Sequence, residues 1–311
     1  MSKKRISNVL WFPLTLLLAI VGQTRCNTAQ TQPEDGFERQ ERKQEAVKPI
    51  RHIIWDLNGV FFETSRIGMA REIDLPKLIW YTITHFKNPG KAIKSIAFEI
   101  LDTVELGIEV PAASPENIPA ADGLPMPRAM QAWVLGLRDG NQIIDAVHAE
   151  VRAGRFRQLF SSRGERRLTL NLIRTMLSAE VLAKHTYALK GGPELLRACA
   201  QAGCTNWALS NRASDVIDLL KQTAEGQKVF EQIADEHTLL SSQINLMKPN
   251  PAIYEYVIHT YDLDPDECVV IDDNENNLRA AKRAGFSNTI LVKGGDLAAV
   301  QKQLSKLGVF A

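Results

Sequence analysis

The chain has 311 residues, 45% of them apolar, with 37 Lys and Arg against 36 Asp and Glu and a formal net charge of +1. That length builds one large domain or two modest ones. The even charge balance excludes the basic footprint of a nucleic-acid binder and the like-charge run of an acidic tail.

Lys3, Lys4 and Arg5 precede an apolar run of 14 residues, Val9 to Gly22, broken only by Pro13 and Thr15. The run is shorter than the roughly 20 residues that span a bilayer. A basic start, a short apolar core and a polar exit read as an export signal over residues 1–26. The expected location is exported, periplasmic or otherwise extracytoplasmic. An uncleaved anchor, touching the membrane only through this segment, stays open, as does a misplaced gene start. Gly22 or Ala29 can end the signal. Cys26 suggests a lipoprotein, but Thr24 and Arg25 stand where that signal wants small or apolar residues. Residues 27–49 are rich in Gln, Glu and Lys and read as a flexible tether.

Ile50–Trp55 is the first apolar run suited to a buried strand. Residues 65–185 then read as a helical insert, with mixed apolar periodicity over Leu75–Phe86, Ala92–Leu106, Ala129–Leu137, Asn141–Val151 and Leu168–Ala183. The Pro-rich stretch Pro111–Arg128 divides it. The insert also carries Arg152, Arg155, Arg157, Arg163, Arg166 and Arg167, with only Glu165 against them. This cluster reads either as a solvated surface or as a lid over an anionic ligand.

From residue 186 onward strands and helices alternate. A helix is expected from Gly191 to about Gln201, a strand over Thr205–Ser210, a helix over Asp215–Thr223 and a strand over Leu239–Ile244. A helix over Pro251–Tyr261 follows, with Ile253, Tyr256, Val257 and Thr260 along one face. Then come a strand at Cys268–Ile271, a helix at about Asn276–Ala284 and a strand at Thr289–Val292. This order predicts an α/β fold: a Rossmann-like, doubly wound parallel sheet built from residues 50–64 and 186–311, with a helical cap inserted at 65–185. The four cysteines, Cys26, Cys199, Cys204 and Cys268, form no CxxC pair and have no His at metal-ligand spacing. Buried free thiols are expected from the last three.

Four stations carry chemistry, and the first three each have a bland alternative. Asp56 follows a strand and precedes Leu57-Asn58-Gly59, which on its own is equally a turn closing any strand. Ser210-Asn211 ends a second strand and can equally cap a helix. Lys248 stands between Met247 and Pro249-Asn250-Pro251 and can equally be a surface lysine. Asp272-Asp273 ends a third strand, and two adjacent carboxylates there are costly to hold without a cation. Hard oxygen ligands suit Mg2+.

Taken in order, Asp56, Ser210, Lys248 and Asp272-Asp273 resemble the four motifs of the haloacid dehalogenase superfamily. The stretch Lys248-Pro-Asn-Pro-Ala-Ile-Tyr, then Asp272-Asp273-Asn274, Ala280-Ala281 and Gly285, is similar to the subfamily of sugar-phosphate phosphatases and the phosphatase domain of soluble epoxide hydrolases. That resemblance implies a Mg2+-dependent phosphatase acting on a small phosphate ester. Asp56 is implied as the nucleophile that becomes an aspartyl-phosphate. The resemblance places Mg2+ on the Asp56 carboxylate, the Asn58 backbone carbonyl and Asp273, with Asp272 assisting. It places Ser210 and the Asn211 backbone on the phosphoryl oxygens, and Lys248 as the neutralising charge.

Asn58 departs from the pattern, because the family's phosphatases usually carry an acid–base Asp two residues after the nucleophile. A carboxamide moves no proton, and general acid–base help is worth about 10²–10⁴-fold. Three classes stay open: a slow or specialised phosphatase, a phosphate-binding or regulatory protein, and a carbon-centred hydrolase of the dehalogenase kind. Asp145, His148 or Glu150 of the insert can replace the missing acid. Asn58-Gly59 is also the pairing least hindered toward succinimide closure, which creates an acid in aged protein.

Overall fold

The computed structural model describes residues 48–310 apart from 75, 78–80, 82–88 and 112–125. The export signal, most of the tether, most of the expected helix Leu75–Phe86 and most of the Pro111–Arg128 divider lie outside the described residues. Among the described residues no helix is long and apolar enough to cross a membrane.

Five strands form one parallel sheet: β1 (His52–Trp55), β4 (Thr205–Ser210), β5 (Thr238–Leu240), β6 (Cys268–Asp272) and β7 (Asn288–Leu291). Their order is β5-β4-β1-β6-β7, with β2 (Phe62–Thr64) and β3 (Thr186–Ala188) pairing separately and antiparallel. β1 is the central strand, so both of its faces are buried, which is why it reads as a continuous apolar run. Ile53 and Trp55 pack on one face, with Leu196, Cys199, Ile217 and Val300. Ile54 packs on the other, with Trp207, Ile253, Val257 and Leu278. Helices therefore cover both faces, and the fold is the doubly wound α/β arrangement.

Several boundaries differ from the sequence reading. β5 ends at Leu240, and Ser241–Ile244 is a short helix rather than the end of a strand. The single helix expected over Leu168–Ala183 is two, Arg163–Leu177 and Ala179–His185. Ser178 is extended and its hydroxyl accepts from Val181 N at 3.2 Å, so a helix cap sits where the apolar periodicity runs on unbroken. Helix Pro251–Tyr261 buries Ile253, Tyr254 and Val257, while Tyr256 and Thr260 face outward. Tyr254 is the inward aromatic because its hydroxyl has a partner inside, Asn277 O at 2.9 Å. Helices Ala224–Phe230 and Leu297–Lys306 are additional to that reading. Cys199, Cys204 and Cys268 are buried thiols.

The segment between β2 and β3 packs its own apolar cluster, including Ile100, Ile143, Val147, Leu172 and Leu177, which extends to Ala213 and Val216 of the sheet domain. All six arginines of the charged cluster are exposed. Arg155 donates twice to Glu150, at 2.9 Å each, and Arg167 lies 3.7 Å from Asp74. Glu165, the acid among them, points inward. It is buried and accepts from Tyr81 Oη at 2.6 Å and from Ser161.

Helix Arg128–Val134 docks beside the loop that bears Lys248. Ser241 Oγ donates to Val134 O at 2.7 Å and Asn245 Nδ2 donates to Leu135 O at 2.6 Å. Trp133 Nε1 donates to both oxygens of Asp215, at 3.2 and 3.1 Å.

Candidate active site

The carboxyl ends of β1, β4 and β6 bring three of the four stations together, which is where open α/β sheets place ligands. Asp56 directly follows β1, and its N–H donates to Ile271 O at 2.8 Å, so the acid leaves the sheet in register with β6. The chain then turns tightly. Gly59 N donates to Phe62 O at 2.8 Å, and Phe61 N donates to Leu57 O at 2.9 Å. Gly59 has φ +83°, and a Cβ there would lie 2.1 Å from Asp273 Oδ2. Glycine is thus required twice over, for the left-handed turn and for the approach of the Asp273 carboxylate to the backbone beside Asn58.

Lys248, the fourth station, is not a surface lysine. It is 2% exposed, and Nζ donates to Asp56 Oδ1 at 2.8 Å and to Asp272 Oδ2 at 2.7 Å. Asn211 fixes its backbone from both sides: Lys248 N donates to Asn211 Oδ1 at 2.8 Å, and Asn211 Nδ2 donates to Lys248 O at 2.7 Å. Ser210 is buried at the end of β4.

Asp56, Asp272 and Asp273 offer oxygens that all lie within 4.8 Å of one another. Their hydrogen bonding separates them. Asp272 accepts from Lys248, from Asn274 N at 2.8 Å, and from Asn277 Nδ2 at 2.9 and 3.0 Å. Its lone pairs are therefore occupied by protein donors. Among the described residues the Asp273 carboxylate accepts no side-chain hydrogen bond and makes no ion pair, and Lys248 acts on it only at longer range. Asn277 was not singled out from the sequence. Its signal is its place in the first turn of helix Glu275–Arg283, five residues after Asp272.

The electrostatics follow from this packing. Burial pushes the Asp56 carboxyl up to about 6, with Lys248 opposing the shift and Asp272 adding to it. Burial, then the charges of Asp56 and Asp272, pushes Asp273 up to about 7. Burial pulls the Lys248 ammonium down, but the Asp272 and Asp56 carboxylates outweigh it and hold it above the ordinary lysine value. The three acids outnumber the Lys248 ammonium, and their clustered hard oxygens fit a small divalent cation.

Arg212 is the site residue that the sequence reading passed over. Its Nη2 donates to Asn58 Oδ1 at 2.5 Å. Its only signal in the sequence is that it directly follows Ser210-Asn211. None of the insert's candidate acids reaches these residues. Glu150 is taken up by Arg155 and by Glu105 N, at 2.8 Å from the latter. Asp145 is exposed, and neither Asp145 nor His148 bonds to any of the four stations.

Comparison with known proteins bears on the family and the fold. The bifunctional epoxide hydrolase 2 of Rattus norvegicus is 39% identical over 95 residues, 30% of this chain and 16% of that one. A CBBY-like protein of Arabidopsis thaliana is 46% identical over 48 residues, 15% of each chain. This chain thus matches only a small part of either relative's length. A HAD family enzyme from Bacteroides thetaiotaomicron superposes with a TM-score of 0.50 at 16% identity, covering 82% of this chain and 99% of that one. The haloacid dehalogenase-like hydrolase family matches residues 50–285. The chain belongs to the haloacid dehalogenase-like hydrolases.

Proposed function

We propose that this hydrolase is a Mg2+-dependent phosphatase of small phosphate esters that works through an aspartyl-phosphate on Asp56. The observation that carries the reading is the division of labour between Asp272 and Asp273. Asp272 is saturated by Lys248, Asn274 and Asn277, whereas Asp273 is left open against Gly59. Asp56, the Asn58 carbonyl and Asp273 would hold the ion, with Asp272 fixing Lys248 behind them. When bound, Mg2+ supplies charge neutralisation for a phosphoryl group beside Asp56.

The chain's own residues do the rest. An Asp56 oxygen attacks phosphorus while Lys248 keeps that carboxylate oriented and balances charge as the phosphoryl group moves. Ser210 and the Asn211 backbone hold phosphoryl oxygens at the end of β4. Burial of Asp56, Lys248 and Asp272 keeps bulk water from the attacking oxygen. The helical segment 65–185 acts as a cap that shapes the substrate pocket. Asn58 supplies no proton, so departure of a basic alkoxide leaving group and hydrolysis of the aspartyl-phosphate are both slow. A phosphate-binding or regulatory role is the second reading, and the carboxamide at position 58 is what favours it. We also propose that the N-terminal segment exports the chain, the mature protein starting at about residue 23 to 30. Recovery of intact Met1 in a soluble cytoplasmic fraction would exclude that.

The test is a panel of phosphate esters with Mg2+ on fresh protein whose intact mass has been checked. p-Nitrophenyl phosphate should give a burst of about one nitrophenolate per site followed by slow turnover. Phosphate binding without any phenol release, burst included, would leave only the binding role.

A further inference from the structure

We propose that Arg212 and Asn58 form one device for a leaving oxygen that departs unprotonated, and that the site takes phosphate esters of acidic hydroxyls, such as aryl, enol or acyl phosphates, over alkyl phosphates. This deepens the phosphatase reading and rests on it.

The geometry starts from a one-way constraint. A guanidinium carries five N–H donors and no acceptor. The Asn58 atom 2.5 Å from Arg212 Nη2 is therefore the carbonyl oxygen, and the amide orientation is settled by chemistry. Once Oδ1 is held by Arg212, Nδ2 with its two hydrogens projects from the other arm of the carboxamide. Position 58 thus offers hydrogen-bond donors where the family's phosphatases have a carboxyl group.

Arg212 itself is not used up by this contact. Among the described residues the Asn58 oxygen is its one side-chain hydrogen-bond partner, so most of its fork is available to a ligand. It is partly buried, and Asp56 is the charged group that acts on it. Its backbone is anchored, since Ser242 Oγ donates to Arg212 O at 3.1 Å. The preceding residue, Asn211, is locked to Lys248 by two hydrogen bonds. The guanidinium is thus a preorganised, partly desolvated cation beside the nucleophile, the arrangement in which fixed charge acts most strongly on developing negative charge.

The chemistry balances without a general acid. An Asp56 oxygen forms a bond to phosphorus while the bond from phosphorus to the leaving oxygen breaks. The electron pair of that bond leaves on the oxygen as a phenolate, enolate or carboxylate. Asn58 Nδ2–H and the free Arg212 donors hydrogen-bond this anion, and neither gives up a proton. Solvent protonates the product after release, if its basicity requires that. In the second step water attacks phosphorus, the pair of the breaking bond returns to the Asp56 carboxylate, and the water's proton passes to solvent. An alkoxide is too basic to leave in this way, which is why alkyl phosphates are disfavoured.

The test measures Mg2+-dependent phenol release by the full chain on substituted phenyl phosphates and on one alkyl phosphate. Wild type should slow steeply as the phenol becomes less acidic, with the alkyl ester slowest. Arg212→Gln should lose about 10²–10³-fold in the phosphorylation step, most on the least acidic phenols, while Arg212→Lys recovers part of it. A shift in the slope against phenol acidity is the signature, because a structural role would lower all rates alike. An alkyl ester hydrolysed as fast as an aryl one by wild type overturns the proposal without recourse to any variant. An Arg212→Gln protein with the wild-type melting temperature, rates and slope overturns it as well, while the phosphatase reading stands. If wild type releases no phenol even in a burst, the phosphatase reading fails and takes this proposal with it.

Discussion

Lys248 Nζ sits 2.8 Å from Asp56 Oδ1 and is buried to 2% exposure, so the Asp56 carboxylate and its counter-charge leave water together. Asp272 shares the same ammonium at 2.7 Å. Removing that ammonium leaves two buried carboxylates without a cation, which costs about 3–5 kcal/mol. Lys248→Met should lower unfolding stability by that order in urea and abolish the burst. Lys248→Arg should also fail, because a planar fork does not fit the space of a point charge. A Lys248→Met protein as stable as wild type would show that the bridge is dispensable.

Asp273 and Asp272 should respond oppositely to substitution. Asp273→Asn removes an open carboxylate that other acids crowd, so the metal-free protein should melt higher than wild type and lose its Mg2+-dependent rise in Tm. Asp272→Asn removes the partner of Lys248, so the metal-free protein should melt lower while keeping a weakened Mg2+ response. Thermal melts of both variants with EDTA and with Mg2+ check this. An undiminished Mg2+ response in Asp273→Asn would exclude it as a ligand.

The metal-free protein should grow less stable as pH rises through the range from about 4 to 7. Asp56 is pushed up to about 6 and Asp273 to about 7, so in this window the folded state binds more protons at these sites than the unfolded state. Their contribution is fully present below the unfolded carboxyl value and is lost as pH climbs through the folded ones. His52, lowered by burial, acts in the opposite direction. The informative quantity is therefore the wild-type profile minus that of Asp273→Asn, measured in EDTA from pH 4.5 to 8. A flat difference would contradict the crowding of these acids.

Asn58→Asp should not simply recreate a proton shuttle. The new carboxylate would face Arg212, whose charge favours its ionised form. An ionised Asp can activate water but cannot protonate a leaving oxygen. Steady-state turnover of an aryl phosphate should rise by about 10²-fold as the burst disappears, with alkyl phosphates remaining slow. Adding Arg212→Gln should then release alkyl activity. Equal gains on both ester types in the single variant would contradict the pairing. Deamidation of native Asn58 should be slow, because Gly59 N donates to Phe62 O and Arg212 holds the carboxamide. Intact mass after prolonged incubation, folded against urea-unfolded, checks this control.

Gly136→Ala should be costly, because φ is +71° and a Cβ there would meet Ser242 O at 2.1 Å. Ser242 lies in the segment that leads to Lys248, so the damage should include weaker Mg2+-dependent turnover as well as a lower Tm. Gly107→Ala, also at positive φ but with nothing within 4 Å, should lose only the cost of backbone strain, about 1 kcal/mol. Equal effects of the two substitutions would show that the contact with Ser242 is unimportant.

The sequence by itself determined the sheet and the four stations. Ile53, Ile54 and Trp55, then Asp56, announce a buried strand with an acid at its carboxyl end, because a central parallel strand is apolar on both faces. Val270 and Ile271 before Asp272-Asp273 do the same. The order of the stations carried the family, since each is ambiguous alone. What tertiary structure decided is the work of each polar group, because that depends on partners distant in the chain. Asp272 and Asp273 are neighbours with the same side chain, yet only the approach of Lys248 and Asn277 makes one saturated and the other open. Lys248 could be told from a surface lysine only once β1 and β6 closed around it. Tyr254 displaced Tyr256 as the buried aromatic because a carbonyl waited inside for its hydroxyl. Arg212 left the least trace, because what defines it is the hydrogen bond to Asn58 across 154 positions of chain, and local pattern holds no record of such a contact.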